Sequence, residues 1–187
     1  MKKIIGILTI LLIFSYHQEV QAQRYVTKDG RITFFSEAPA ENIEAFNNQV
    51  NSALDIGSGD FIFRVLMKSF QFEKALMQEH FNENYIESHK HPNATFSGKV
   101  TNLEAIDFGT PGTYNAVVSG DLTIKGITKS ITEEGMFEVN ADGTIHGQAT
   151  FMIAIADFDI KIPRAVINNI AEEIEIKVDV KLSPLNN

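Results

Sequence analysis

The chain has 187 residues, a formal net charge of −8 and no cysteine. The acidic balance and the lack of a basic cluster exclude nucleic acid as a partner and disfavour docking on anionic lipid head groups. Without cysteine the chain forms no disulfide and has no thiol for lipid attachment, which excludes a bacterial lipoprotein.

A signal peptide is predicted at residues 1–22. Two lysines precede an apolar run from Ile4 to Phe14, and Val20-Gln21-Ala22 ends in the small residue typical of a cleavage site. The apolar run is too short to span a bilayer and no later stretch is long enough, so we expect no stable membrane insertion. Residues 23–187 would then form one domain, located in the periplasm or secreted.

The first part of the mature chain is predicted to form short strands. A strand at Arg24–Thr27 is expected to turn at Asp29-Gly30, a pair typical of hairpins, into a second strand at Arg31–Ser36. Asn42–Asp55 is predicted as a strand on a weak pattern, since its apolar residues also fit one helical face. Phe61–Ser69 alternates clearly, with phenylalanines on one side and basic residues on the other.

One amphipathic helix is predicted at Phe72–Glu87. The residues that recur at three- and four-residue steps, and therefore share one helical face, are Leu76, Met77, His80, Phe81, Asn84 and Tyr85. Because strands are predicted on both sides of this helix, we expect it to lie across one end of a curled sheet, where it would cap or gate the interior.

The rest of the chain alternates between strands and turns. The predicted strands are Ala94–Asp107, Thr113–Ile124, Lys129–Asn140, Thr144–Ile155 and Glu172–Leu182. Lys125-Gly126 is interpreted as a tight turn rather than a glycine kink, and Asp157–Asn169 is irregular. Eight main strands and one short strand joined mostly by short connections predict an all-β fold, an eight-stranded antiparallel up-and-down barrel with one short helix between strands.

The inward faces of the predicted strands mix phenylalanines with small residues. The small residues are Gly98, Ala116, Gly120, Gly147 and Ala149. This mixture fits two hypotheses, a solid interdigitated core or a tunnel that holds one ligand. Because each buried methylene contributes roughly 0.8 kcal/mol, a tail of about ten carbons would gain roughly 8 kcal/mol before ordering costs. Such a site needs no polar motif.

No motif of a known catalytic site appears in the sequence. It has no G-x-S-x-G elbow, H-E-x-x-H motif, phosphate-binding loop or dinucleotide fingerprint, so no catalytic residue is predicted. His80, His89 and His91 lie close together, but their spacing is weak for zinc or copper and no thiol or carboxylate completes the set. We therefore predict no metal site, and no cofactor other than a bound lipid.

Two charged residues, Lys129 and Glu133, fall on the inward register of their predicted strand. If the register holds, Lys129 would be placed near a turn, where it would meet an anionic lipid head group. A bulge, or solvation of the strand ends, would instead bring both charges to water. Both interpretations stay open at the level of the sequence.

Two segments of the chain resemble the YceI-like family. One contains the predicted helix and the turn His91-Pro92-Asn93-Ala94-Thr95-Phe96. The other is the hairpin Gly120-Asp121-Leu122-Thr123-Ile124-Lys125-Gly126-Ile127-Thr128-Lys129, which is the more specific match. The resemblance runs from about Tyr25 to Leu182. The chain departs from the family pattern at Arg24-Tyr25-Val26-Thr27, where an aromatic-x-x-Asp opening is usual, and at His91, where an aromatic residue is usual.

The resemblance implies a lipocalin-like barrel, export and, in some members, a polyisoprenoid chain along the barrel axis; it brings no catalytic residue. We therefore predict an exported, non-enzymatic protein that holds a long apolar molecule of isoprenoid type for transport or storage, with homodimer formation left open. The predicted ligand-binding residues are Phe34, Phe61, Phe63, Val65, Phe96, Leu122, Ile124, Phe137, Phe151, Ile153 and Ile176.

Two alternatives to a lipid carrier remain open. The first is an enzyme that acts on a lipid-like or amide substrate in the same cavity, which would need convergent polar groups inside the barrel. The second is a solid barrel with a stress or surface-interaction role, which would need a closely packed interior. The state of the barrel interior therefore discriminates among the three hypotheses.

Overall fold

A closed antiparallel barrel forms the body of the protein. The computed structural model describes residues 24–185, so the predicted signal peptide lies outside the described residues. The strands in this range are β1 (Arg24–Glu37), β2 (Asn42–Asp55), β3 (Asp60–Leu66), β4 (Gln71–Phe72), β5 (Asn93–Val100), β6 (Gly112–Ile124), β7 (Ile127–Val139), β8 (Ile145–Ala154) and β9 (Glu173–Pro184). Short 3₁₀ turns lie at Met67–Ser69, Leu103–Ala105, Ile155–Phe158 and Arg164–Val166.

Eight of these strands close the barrel. Neighbours in sequence pair with each other, β3 pairs with β5, and β9 returns to pair with β1, which also pairs with β2. The two-residue strand β4 adds to the side of β2 without entering the ring. This arrangement confirms the predicted eight-stranded antiparallel up-and-down barrel.

Strand β1 is continuous, so the hairpin predicted at Asp29-Gly30 is wrong. The pairing of β1 with β2 and with β9 shifts register around these residues, which form a bulge. A Cβ on Gly30 would lie 2.7 Å from Cγ1 of Val180. The glycine therefore allows close packing of β1 against the neighbouring strand β9, and the short extra strand is β4 rather than Arg24–Thr27.

The helix is shorter than the predicted span Phe72–Glu87. Phe72 belongs to β4, Glu73 and Lys74 form a bend, and the α-helix α1 covers only Ala75–His80. A π-helical turn follows at Phe81–Tyr85, a wider winding often found at functional sites. With this geometry Ile86 is buried, whereas Leu76, predicted on the buried face, is 62% exposed. No helix in residues 24–185 has the length and apolar composition needed to cross a membrane.

Glycine is required at two places in the β5–β7 part of the barrel. Lys125 and Gly126 have φ values of 51° and 77°, which suit a two-residue hairpin, so the predicted tight turn is present. Gly98 and Gly120 face each other in the β5–β6 ladder, and a Cβ on Gly120 would collide with the Cα of Gly98. These strands therefore approach too closely for a side chain.

One end of the barrel, which we call the packed end, is filled by a buried apolar cluster. Its members are Tyr25, Leu54, Phe61, Val100, Ile106, Ala116, Phe137, Ile145, Val180 and Leu182. The first and last described strands also meet here, because the backbone amide of Leu185 donates to the carbonyl oxygen of Arg24 at 2.7 Å. No free space for a ligand is expected at this end.

The opposite end is covered by α1 with its π-helical turn and by residues 155–172, which we call the lid. The lid connects β8 to β9. On one side the backbone amide of Ala171 donates to Oγ of Ser36 at 2.8 Å. On the other side Nζ of Lys125 donates to the carbonyl oxygen of Asp159 at 3.1 Å. The lid is therefore fixed to the end of β1 and to the β6–β7 turn.

Replacing Ser36 with alanine is expected to loosen the lid. Ser36 is 2% exposed, so loss of its hydroxyl leaves the amide of Ala171 without an acceptor, at a cost of about 1–3 kcal/mol. Hydrogen–deuterium exchange at Ala171 should accelerate in this variant. Ser58→Ala, in an exposed hairpin at the packed end, is the control, and equal exchange at Ala171 in the two variants would contradict the role of Ser36.

Candidate functional site

The barrel encloses a cavity between the packed end and the lid. Its volume is about 360 Å³, within the range of about 300–1,000 Å³ found for small-molecule sites. The wall is almost entirely apolar. Of the small residues expected on it, Ala116, Gly147 and Ala149 line the cavity. Gly98 and Gly120 do not, because their strands pack against each other.

All of the residues predicted to bind the ligand lie on the cavity wall. They come from seven of the eight barrel strands, and they are Phe34, Phe61, Phe63, Val65, Phe96, Leu122, Ile124, Phe137, Phe151, Ile153 and Ile176. Their shared position follows from the two-residue period of strand side chains, which assigns alternate residues to the interior. Contact between these residues and a ligand stays a prediction.

An aromatic cluster that was not predicted covers the cavity beneath α1. The ring centroid of Phe34 lies 5.6, 5.6 and 5.7 Å from those of Phe70, Phe72 and Phe81, distances typical of aromatic pairs. We call these four residues the aromatic cluster. Phe70, Phe72 and Phe81 lie close to the helix in sequence, which was the available signal. Phe72 belongs to β4, Phe81 to the π-helical turn and Phe70 to the loop before β4, so no single residue period indicated that their rings meet.

The lid also contributes apolar side chains that the sequence did not mark. Ile160, Val166 and Ile170 line the cavity. They lie in an irregular segment, where neither the strand nor the helix period indicates which side chains point inward. Their contribution closes the cavity on the side of β8 and β9.

Several of the polar side chains at the cavity wall are bonded to other residues. Glu41 accepts from Nζ of Lys74 at 2.6 Å and from Nδ2 of Asn169 at 3.4 Å. The hydrogen bond from Lys74 is the main reason why the pKa of Glu41 is lowered. Gln148 donates through Nε2 to Asp179 at 3.0 Å. These side chains hold the lid and the strands together.

Glu133 differs from these bonded side chains. It is half-buried on the inner face of β7 and lines the cavity, and burial raises the pKa of its carboxyl group. Lys129 is exposed, and its Nζ lies 3.7 Å from Oδ1 of Asp157 in the lid. Glu133 therefore points into the barrel, as its register predicted, whereas the side chain of Lys129 reaches water.

The described residues offer no metal centre. Within residues 24–185, no three histidine, aspartate or glutamate side chains are grouped closely enough to hold a metal ion. Of the neighbouring histidines, His80 lines the cavity, while the ring of His91 packs on the β6–β7 turn, where a Cβ on Gly126 would lie 3.0 Å from its Cε1. The cavity wall is therefore mostly hydrocarbon, and its three glutamates, Glu41, Glu133 and Glu134, do not form a metal-binding group with other described residues.

Comparisons with known proteins agree on one fold. A family model described as the YceI-like domain matches residues 17–182. A polyisoprenoid-binding domain of Saccharophagus degradans implicated in plant cell wall breakdown has a TM-score of 0.75 at 13% identity, covering 87% of this chain and 98% of that chain. BcnA of Burkholderia cenocepacia has a TM-score of 0.63 at 16% identity, covering 82% and 96%.

A third similar structure comes from Campylobacter jejuni. Its YCEI protein has a TM-score of 0.58 at 16% identity, covering 76% of this chain and 85% of that chain. No curated protein matches the chain closely enough to serve as a relative. At these identities the likeness to solved structures establishes the shape of the chain, and the family match rests on the sequence itself.

Proposed function

The chain belongs to the YceI-like family, and on this premise we propose that it is an exported carrier that holds a long apolar molecule of isoprenoid type for transport or storage. The observation that carries the proposal is the cavity, which lies inside the barrel and has an almost wholly apolar wall. The similar domain from Saccharophagus degradans binds polyisoprenoid, which supports the choice of ligand class.

Hydrocarbon burial supplies the free energy for such binding. A tail with about ten buried carbons gains roughly 8 kcal/mol gross, which would correspond to a dissociation constant of about 1 μM before ordering costs are subtracted. We propose binding without turnover, because Glu41 and Gln148 on the wall are hydrogen-bonded to other residues and no hydrogen bond joins Glu133 to another side chain within residues 24–185. The ligand is thus held rather than converted.

Lipid extraction from protein isolated from the periplasm or medium of its native source, followed by mass spectrometry, tests this function. We expect an isoprenoid-type lipid in an amount comparable to that of the protein. The control is protein with a filled cavity, the Val118→Trp variant considered below, which should yield none. Absence of lipid from the wild-type protein, together with failure to bind an added isoprenoid alcohol, would contradict the proposal.

A further inference from the structure

Strands β7 and β8 pair over only part of their length. Their ladder stops at Gly135 and Ala149. From Gly135 to Ile127, its first residue, β7 remains paired with β6 on its other side. From Ala149 to Ala154, its last residue, β8 remains paired with β9. The barrel wall therefore contains an unpaired region between residues 127–134 and residues 150–154, which we call the window.

The cavity reaches the protein surface at this window. In β1, β3, β6 and β9 only alternate residues line the cavity, as expected for strands that face it with one side. In β5, β7 and β8 runs of consecutive residues line it, at 94–96, 133–137 and 147–149. Residues 135–137 and 147–149 pair with each other in the part of the β7–β8 ladder that adjoins the window. Glu134, an exposed outward-facing residue of β7 inside the window, and Met136, which is 46% exposed at its edge, both line the cavity, so the cavity extends to the outer face of β7 here.

An ion pair between β7 and the lid lies at one edge of the window. Nζ of Lys129 lies 3.7 Å from Oδ1 of Asp157, which joins β7 to the start of the lid beyond the end of β8. Both side chains are solvent-exposed, so this pair contributes at most about 1 kcal/mol. The packed end is filled and the opposite end is covered by the aromatic cluster and the lid, so the window is the least obstructed route to the cavity.

Glu133 holds its carboxyl group beside this window. It lies on the inner face of β7, two residues from Gly135, where the β7–β8 ladder stops. Burial raises the pKa of this carboxyl, and within residues 24–185 no bonded partner offsets that burial. A half-buried carboxylate without a partner is stabilised by a ligand group that donates a hydrogen bond to it.

We infer that the ligand lies with its tail in the cavity and its polar end in the window, where the Glu133 carboxyl accepts a hydrogen bond from it. This inference rests on the proposed function and names the chemistry of the polar end. An alcohol, amide or amine donates such a bond, whereas a carboxylate or phosphate is repelled by Glu133 and by the net charge of −8. Glu133 is therefore a specificity-determining residue.

The test compares a long-chain primary alcohol with the fatty acid of the same chain length at neutral pH. Dissociation constants are measured by displacement of a fluorescent lipid from the full protein. The wild type should prefer the alcohol by about tenfold or more, as expected for a hydrogen bond to a charged group. Glu133→Gln keeps an acceptor but removes the charge, so it should retain the alcohol and bind the acid about tenfold more tightly.

Two further variants complete this comparison. Glu133→Leu removes the acceptor and should lose the preference for the alcohol. Glu138→Gln changes an exposed glutamate on the outer face of the same strand and should leave the ratio unchanged. Equal affinity for both lipids in the wild type and in Glu133→Gln overturns the inference and leaves the carrier function standing. Failure of the wild type to bind either lipid overturns both.

The position of the polar end is tested separately with single cysteines, since the chain has none of its own. A fluorophore is attached at Met152→Cys, on the outer face of β8 beside the window, or at Ser58→Cys at the packed end. A fatty amide with a nitroxide on its amide nitrogen should quench the first label more strongly, and one with the nitroxide near its methyl end should quench the second. The reverse order overturns the inference.

Discussion

Replacing Val118 with tryptophan is expected to abolish binding of a long-chain alcohol while the barrel stays folded. Val118 is half-buried on the cavity wall in β6, and an indole in its place would fill much of the 360 Å³ that the tail needs. With lipid at one hundred times its dissociation constant, the wild type should gain about 2.7 kcal/mol of stability and the variant none. Thermal melts with and without lipid measure the difference.

Val117→Trp provides the matched control for this experiment. Val117 is the neighbouring residue of the same strand, pairs with Glu134 in the β6–β7 ladder, and faces away from the cavity. Its tryptophan variant should keep the full stabilisation by lipid. If Val118→Trp also kept it, or if both variants lost it, the tail would not lie where the cavity wall indicates.

Replacing Phe137 with alanine is expected to lower the free energy of unfolding by about 3–5 kcal/mol, the usual cost of deleting a buried aromatic ring. Phe137 is 2% exposed, and its ring centroid lies 5.7 Å from that of Phe61 and 6.2 Å from that of Phe108. It forms the floor of the cavity where the packed end begins. For a domain of this size the melting temperature should fall by roughly 10 °C.

Urea unfolding monitored by circular dichroism measures this destabilisation. Ile62→Ala is the control, because Ile62 lies on the outer face of β3 and is 50% exposed, so its truncation should change stability by about 0.5 kcal/mol or less. A Phe137→Ala midpoint equal to that of Ile62→Ala would mean that the floor of the cavity does not support the barrel. Comparing the two variants also distinguishes the effect of losing a buried, packed side chain from the effect of removing apolar atoms at the surface.

Strand periodicity accounts for the part of the site that could be predicted. Residues such as Leu122 and Ile176 alternate with polar neighbours, and a strand with one buried face must send the apolar set inward. This rule places wall residues without knowledge of which strands are neighbours. The predicted wall therefore agrees with the cavity, although the strand and helix boundaries shift by several residues.

Features that depend on contacts between distant residues could not be predicted. Asp29-Gly30 carries a hairpin signal, but the pair lies in a bulge of the continuous strand β1, where Val180 of β9 packs closely on Gly30. The window is a second case, because β8 keeps its two-residue period through its pairing with β9 up to Ala154, whether or not β7 is paired beside it. The aromatic cluster is a third, since β4 and the π-helical turn bring its members together from separate elements.

The hydrogen bond between Leu185 and Arg24 has a practical consequence. Arg24 and Leu185, the first and last described residues, both lie at the packed end, opposite the lid. A resin, a fluorescent domain or a sensor surface joined at either point would leave the ligand's exchange route facing solution. Attachment at the packed end thus leaves both the window and the lid unobstructed.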